Sequence, residues 1–196
     1  MKKLLAVTLV GTILLSSCGN ITKDNDEKTH KNETKSSKNE DGDYNKELRK
    51  YFRKDIPTLD RMFKYMSSHP DEAANPQDTI DAYKQYAKEI DDNLKIHKDN
   101  LKNFKANGKE KIVGDYFITL NEVFSTYLKG IIKDLEKIQS GQDTNPEVYK
   151  HMGKLSDKFN EGTNKVDEES EKVSDSELKK IIGNDLYKKY NDAMSQ

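Results

Sequence analysis

The sequence predicts an all-α fold: an antiparallel bundle of about four long helices plus a short C-terminal helix. Three observations lead there. After Tyr44, apolar residues recur at spacings of three and four in nearly every stretch. Glycine (10) and proline (4) are scarce in 196 residues, which disfavours the many turns of a β-sandwich or doubly wound sheet. Charged residues (35%) outnumber apolar ones (33%), so a core must come from patterned stripes, not from bulk hydrophobicity.

The first helix is marked by Tyr44, Leu48, Tyr51, Phe52, Leu59, Met62, Phe63 and Met66. Pro57 is expected to kink or split it near Asp55. From His69-Pro70 to Asn75-Pro76 the chain reads as a loop, with Asn75 or Asp78 as N-cap and proline in the first turn. The second helix has the most regular rhythm. Ile80, Tyr83, Ala87, Ile90, Leu94, His97, Leu101 and Phe104 form a heptad seam closed by Asn107-Gly108, a rod of about 37 Å. The third carries Val113, Phe117, Leu120, Phe124, Leu128, Ile131, Leu135 and Ile138. Ile112, Tyr116, Val123, Tyr127 and Ile132 widen that stripe, and Ser140-Gly141 ends it. Asn145-Pro146 opens a fourth helix with Val148, Met152, Leu155, Phe159 and Val166 as its seam, weakened at Gly162. Ser174 and Glu177 suit a capping box for a last helix bearing Leu178, Ile181, Ile182, Leu186, Tyr190 and Met194. Long helices with short connections favour antiparallel neighbours. The alternative packing is an extended helical hairpin that dimerises as a coiled coil.

Upstream of the helices the chain has a different character. Lys2 and Lys3 precede an apolar run from Leu4 to Leu15, interrupted by Thr8, Gly11 and Thr12. The run has the length and charge flank of a secretory signal peptide and is short for a membrane span. It ends in Leu15-Ser16-Ser17-Cys18, and Cys18 is the one cysteine of the chain. These four residues resemble the lipobox of bacterial prolipoproteins. The resemblance implies that Leu15, Ser16 and Ser17 are read by the dedicated signal peptidase, that Cys18 receives a diacylglyceryl group, and that cleavage falls before it. A lone cysteine in an exported protein has no disulfide partner, which agrees. Two acyl chains supply on the order of 20 kcal/mol of gross burial, enough for a stable anchor. The expected organisation is therefore a signal peptide over 1–17, a lipidated cysteine with a polar linker over 18–43, and a helical domain over 44–196. In layout the chain resembles the small helical lipoproteins of Gram-positive bacteria. The basic set, 31 lysines to three arginines, agrees with an AT-rich genome of that group.

From Gly19 to Asp43, Ile21 is the sole large apolar residue, so this segment is expected to be a disordered tether. Removing 17 residues, two of them lysine, leaves 179 residues with 32 basic against 35 acidic side chains. That balance argues against nucleic acid as a partner. The expected partners are the membrane, through diacylglyceryl on Cys18, and an envelope protein or wall polymer met by the bundle. The expected place is the extracytoplasmic face of the cell membrane.

A search for chemistry predicts no enzyme, no cofactor and no metal. Solute-binding transporter lipoproteins need two α/β lobes and a longer chain. His30, His69, His97 and His151 lack a second ligand at i+3 or i+4 on a helix, and the one Glu-x-x-His unit, Glu27 to His30, lies in the tether. Asp24-Asn25-Asp26 starts like a calcium loop, but Lys28 and Thr29 stand where an oxygen ligand and a glycine are needed. There is no Gly-x-Ser-x-Gly and no phosphate-cradling glycine loop. Asp91-Asp92 and Glu168-Glu169 read as solvated helix faces. The least even surface feature is Lys46, Arg49, Lys50, Arg53 and Lys54, with Glu47 among them, a face suited to an anionic surface such as lipid phosphate or wall polymer. The function expected is a non-enzymatic binding module of the cell envelope. The alternatives are an immunity or exclusion lipoprotein from a mobile element, and an accessory part of a secretion or conjugation apparatus.

Overall fold

The computed structural model describes residues 40–106, 108–142 and 144–195, and every regular element among them is helical. The order is α1 (Glu40–Ser68), α2 (Pro76–Leu101), α3 (Gly108–Lys137), a π-helical turn (Ile138–Gln142), α4 (Pro146–Ser170), α5 (Asp175–Ile182) and α6 (Asn184–Met194). No helix among the described residues is long and apolar enough to cross a membrane. The lipobox residues Leu15, Ser16, Ser17 and Cys18, and all of the expected tether except its last four residues, lie outside the described residues.

The expected break at Pro57 does not occur, and α1 is one helix of 29 residues. Pro57 faces solvent, whereas Leu48, Tyr51 and Phe52 before it and Leu59, Met62 and Phe63 after it are buried in the same core. Burial of both flanks holds the two halves in line, and an exposed proline removes a single ladder bond on the outer side.

The three junctions between long helices are antiparallel, as facing residue numbers run in opposite directions. Between α1 and α2, Glu47 accepts from Asn100 at 2.8 Å, Thr58 donates to Glu89 at 2.6 Å, and Tyr65 meets Thr79. Between α2 and α3, Lys98 pairs with Glu122, Asp91 with Lys129 and Lys84 with Glu136. Between α3 and α4, Tyr127 packs on Phe159 at 4.7 Å between ring centroids, and His151 meets Asp134. The heptad seam of α2 is buried from Ile80 through Leu101. Phe104 falls beyond the helix, in a turn whose amide bonds back to Leu101, and packs half-buried against the core. Phe52 stacks on Phe117 at 3.7 Å and Phe63 meets Phe124 edge-on at 5.4 Å, tying α1 directly to α3.

Gly162 has a role other than the weak point expected of it. α4 is continuous through it, and a Cβ there would stand 2.9 Å from Val123 on α3. Gly130 on α3 similarly receives Leu155 of α4. The two glycines let these helices approach closely.

The short C-terminal helix proves to be two. Ser174 opens α5 with a complete capping box, as expected, but Gly183 at φ 92° and ψ 149° stops it after eight residues. That backbone region belongs to glycine. The α5–α6 pair folds back on α1, burying Ile181, Ile182, Leu186 and Tyr190.

Candidate functional site

The basic face of α1 is the surface feature that the sequence singles out, and the structure divides its members. Arg49 is half-buried: its Nε donates to the Ile181 carbonyl at 2.8 Å and its Nη2 to the Lys180 carbonyl at 2.9 Å. These are last-turn carbonyls of α5, freed because Gly183 ends the helix. A guanidinium there satisfies orphan acceptors and the negative helix end together. Lys50 donates to Glu47 at 2.8 Å. Lys46, Arg53 and Lys54 are exposed. Together with Lys50, spaced four, three and one along the helix, they make one cationic strip facing solvent.

Beneath this strip lies a buried polar cluster. Glu47 links the two, since its carboxylate accepts from Lys50 and from Asn100 and stands 3.6 Å from His97 Nδ1. The Lys50 hydrogen bond, with that of Asn100, holds Glu47 below the usual glutamate range against its burial. His97 is 2% exposed, stacks on Tyr51 at 4.4 Å, and neither ring nitrogen has a hydrogen-bond partner. Desolvation pushes it down to about 4, so the ring is neutral. Asp55 is fully buried, and neither carboxylate oxygen is hydrogen-bonded. Burial pushes it up to about 7; the side-chain amides of Asn121 and Asn93 pull the other way without closing the hydrogen bonds. Tyr51 and Asn121 complete the cluster, Asn121 donating to the Phe117 carbonyl at 2.9 Å.

Asp55 and His97 have shifted proton affinities of the kind seen in catalytic groups. Both are buried in the bundle core. Their titration is linked to the stability of the fold.

Comparison with protein-family models, with curated proteins and with solved structures finds no match for this chain.

The remaining sequence candidates are placed as follows. His30 and the Asp24-Asn25-Asp26 run lie outside the described residues. His69, at the end of α1, stacks on Tyr65 at 4.1 Å. Among the described residues no group of three or more His, Cys, Asp or Glu side chains is arranged to hold a metal ion. Asp91 is not simply solvated: it accepts from Ser125 at 2.6 Å and from Lys129 at 2.5 Å, joining α2 to α3. Asp92, Glu168 and Glu169 are exposed.

Three features are not visible in the spacing of residues along the chain. Glu72, in the α1–α2 loop, reaches inward and accepts from Tyr83 at 2.5 Å and Tyr127 at 3.3 Å, and burial raises its pKa. His151 is paired with Asp134, which is fully buried on α3. Scanning for ligands at i+3 or i+4 along one helix cannot find a partner on a neighbouring helix. A cavity of about 100 Å³ also lies where α5 and α6 meet α1 and α3, lined by Phe52, Phe117, Leu178 and Tyr187. Typical small-molecule sites are several times larger.

Proposed function

We propose that this chain is a lipid-anchored, extracytoplasmic binding module without enzymatic activity. In this reading residues 1–17 are a removed signal peptide, Cys18 carries diacylglyceryl, and the polar residues after it link the anchor to the bundle, which begins with α1 at Glu40. The observation that carries it is Leu15-Ser16-Ser17-Cys18, closing a basic-then-apolar leader and holding the chain's one cysteine. The 21 residues between Cys18 and Glu40 limit how far the start of α1 can stand from the lipid surface. The cationic strip of Lys46, Lys50, Arg53 and Lys54 then faces an anionic envelope surface at short range. Within the bundle, the acid–base groups with shifted proton affinity are enclosed, which suits a binding role better than catalysis.

Metabolic labelling with a fatty-acid analogue tests the anchor. Cells making the wild-type chain should yield a labelled band, and Cys18→Ala should yield an unlabelled, unprocessed or released product. Equal labelling and membrane retention of Cys18→Ala would refute the proposal.

A further inference from the structure

The α3–α4 junction holds a second cationic feature, separate from the strip on α1 and independent of the anchor. A cavity of about 320 Å³, at the lower end of small-molecule sites, opens beside the π-helical turn. Its basic wall is Lys137, Lys150, His151 and Lys154. Beneath them Asp134 is fully buried, with Oδ1 accepting from Lys137 at 2.7 Å and Oδ2 paired with His151 Nδ1. One carboxylate thus fixes two cationic or donor groups at the edge of one cavity, leaving His151 Nε2 and two Nζ–H bonds of Lys137 for another partner. Asp134 is offset by Lys137, and Glu147 is paired with Lys150 at 3.5 Å. Lys154 forms no ion pair with a described residue, the amide side chains of Gln142 and Asn145 add neutral donors, and His151 Nε2 donates to an anion in the imidazolium form, with Nδ1–H held by Asp134.

The first turn of α4 contributes little to this site. The Glu147 and Val148 amides are already held by Asn145, through its side chain and its carbonyl. Side chains make the cavity, and their chemistry is that of an oxyanion receptor: positive charge, several N–H donors, and an imidazole fixed by a buried acid.

We propose that this cavity binds a small oxyanion, a phosphate or a carboxylate group, held by Lys137, His151 and Lys154. Asp134 acts as a positioning residue. Although it is an anion, its loss should weaken binding, because it fixes Lys137 and His151.

The test uses the full-length chain in non-ionic detergent, titrated with sodium phosphate or sodium acetate at constant ionic strength, with sodium chloride as reference. The readout is the ring resonances of His151 by NMR, with those of the buried His97 as internal control. The expected result is a saturable shift at His151 with phosphate, acetate or both, and none at His97; which probe saturates identifies the anion class. Lys154→Gln and His151→Gln, at exposed positions, should each weaken binding about tenfold, the former followed at the His151 ring and the latter by calorimetry. Asp134→Asn should weaken it too, whereas a purely electrostatic pocket would bind more tightly on losing that charge. If Asp134→Asn fails to fold, the two exposed variants decide. No saturation with either probe, or a response matched by chloride, overturns the proposal.

Discussion

At the scale of single residues, the unusual feature is two buried titratable groups with opposite responses to pH. Asp55 rises from an ordinary 3.8 to about 7, so the folded chain keeps a proton that the unfolded chain releases. Its contribution to stability therefore falls as pH climbs from about 4 to about 7, by about 4 kcal/mol in all. His97 falls from 6.5 to about 4, so the unfolded chain gains a proton that the folded chain refuses. Its contribution is lost as pH drops through that window. The two slopes oppose each other between about 4 and 6.5. Asp55→Asn should remove one side of the balance. Thermal melts should show it more stable than wild type at pH 8, with a steeper loss on acidification below pH 6. A parallel pH profile for the two proteins would refute this assignment. None of it was legible in the sequence beyond the position of His97 on the seam of α2. Asp55 lies on α1 between Phe52 and Leu59, and only the packing of α2 and α3 around it shows that it is buried.

At the scale of elements, glycines and one arginine decide how helices meet. Gly183→Ala places a side chain in a backbone region that only glycine adopts readily, and should cost about 1–3 kcal/mol. Arg49→Ala removes two hydrogen bonds to the end of α5 and should cost about 1–2 kcal/mol. Hydrogen exchange should show both losses confined to α5 and α6, with α2 and α3 unchanged; global acceleration would contradict the docking role given to Arg49. Gly162→Ala brings a second test. Alanine favours an isolated helix by about 1 kcal/mol, yet the added methyl meets Val123, whose branched side chain turns poorly. The variant should melt lower than wild type, and Val123→Ala should restore it; a simple stabilisation by Gly162→Ala would show that α3 and α4 have slack. The seam of α2, the Asn145 cap and the Ser174–Glu177 box were readable because they are local and follow from spacing alone, whereas Asn75 stands at the start of α2 without a side-chain capping bond. The unbroken α1 at Pro57, the close approach at Gly162 and the capping of α5 by Arg49 were not, because each depends on a neighbour far along the chain.

At the scale of the whole molecule, the four long helices and the α5–α6 pair bury their apolar stripes within one chain. Among the described residues Ile96 is the one large apolar side chain left exposed, at 46%. The described surface thus offers no apolar stripe for the coiled-coil dimer that the heptad pattern alone also allowed. The chain from Gly19 onward should run as a monomer in size-exclusion with light scattering, and a stable dimer would point to a surface not accounted for. Neutralising Lys46, Arg53 and Lys54 to glutamine should weaken its association with anionic vesicles at low salt and leave its melting temperature within about 1 °C, since exposed charges contribute little to stability. Mass spectrometry of the N-terminal peptide of the protein, purified from membranes of the cells that make it, decides whether Cys18 carries the anchor. The expected peptide begins at Cys18 and is heavier by a diacylglyceryl group; an unmodified Cys18, or a start at any other residue, would overturn the lipid anchor.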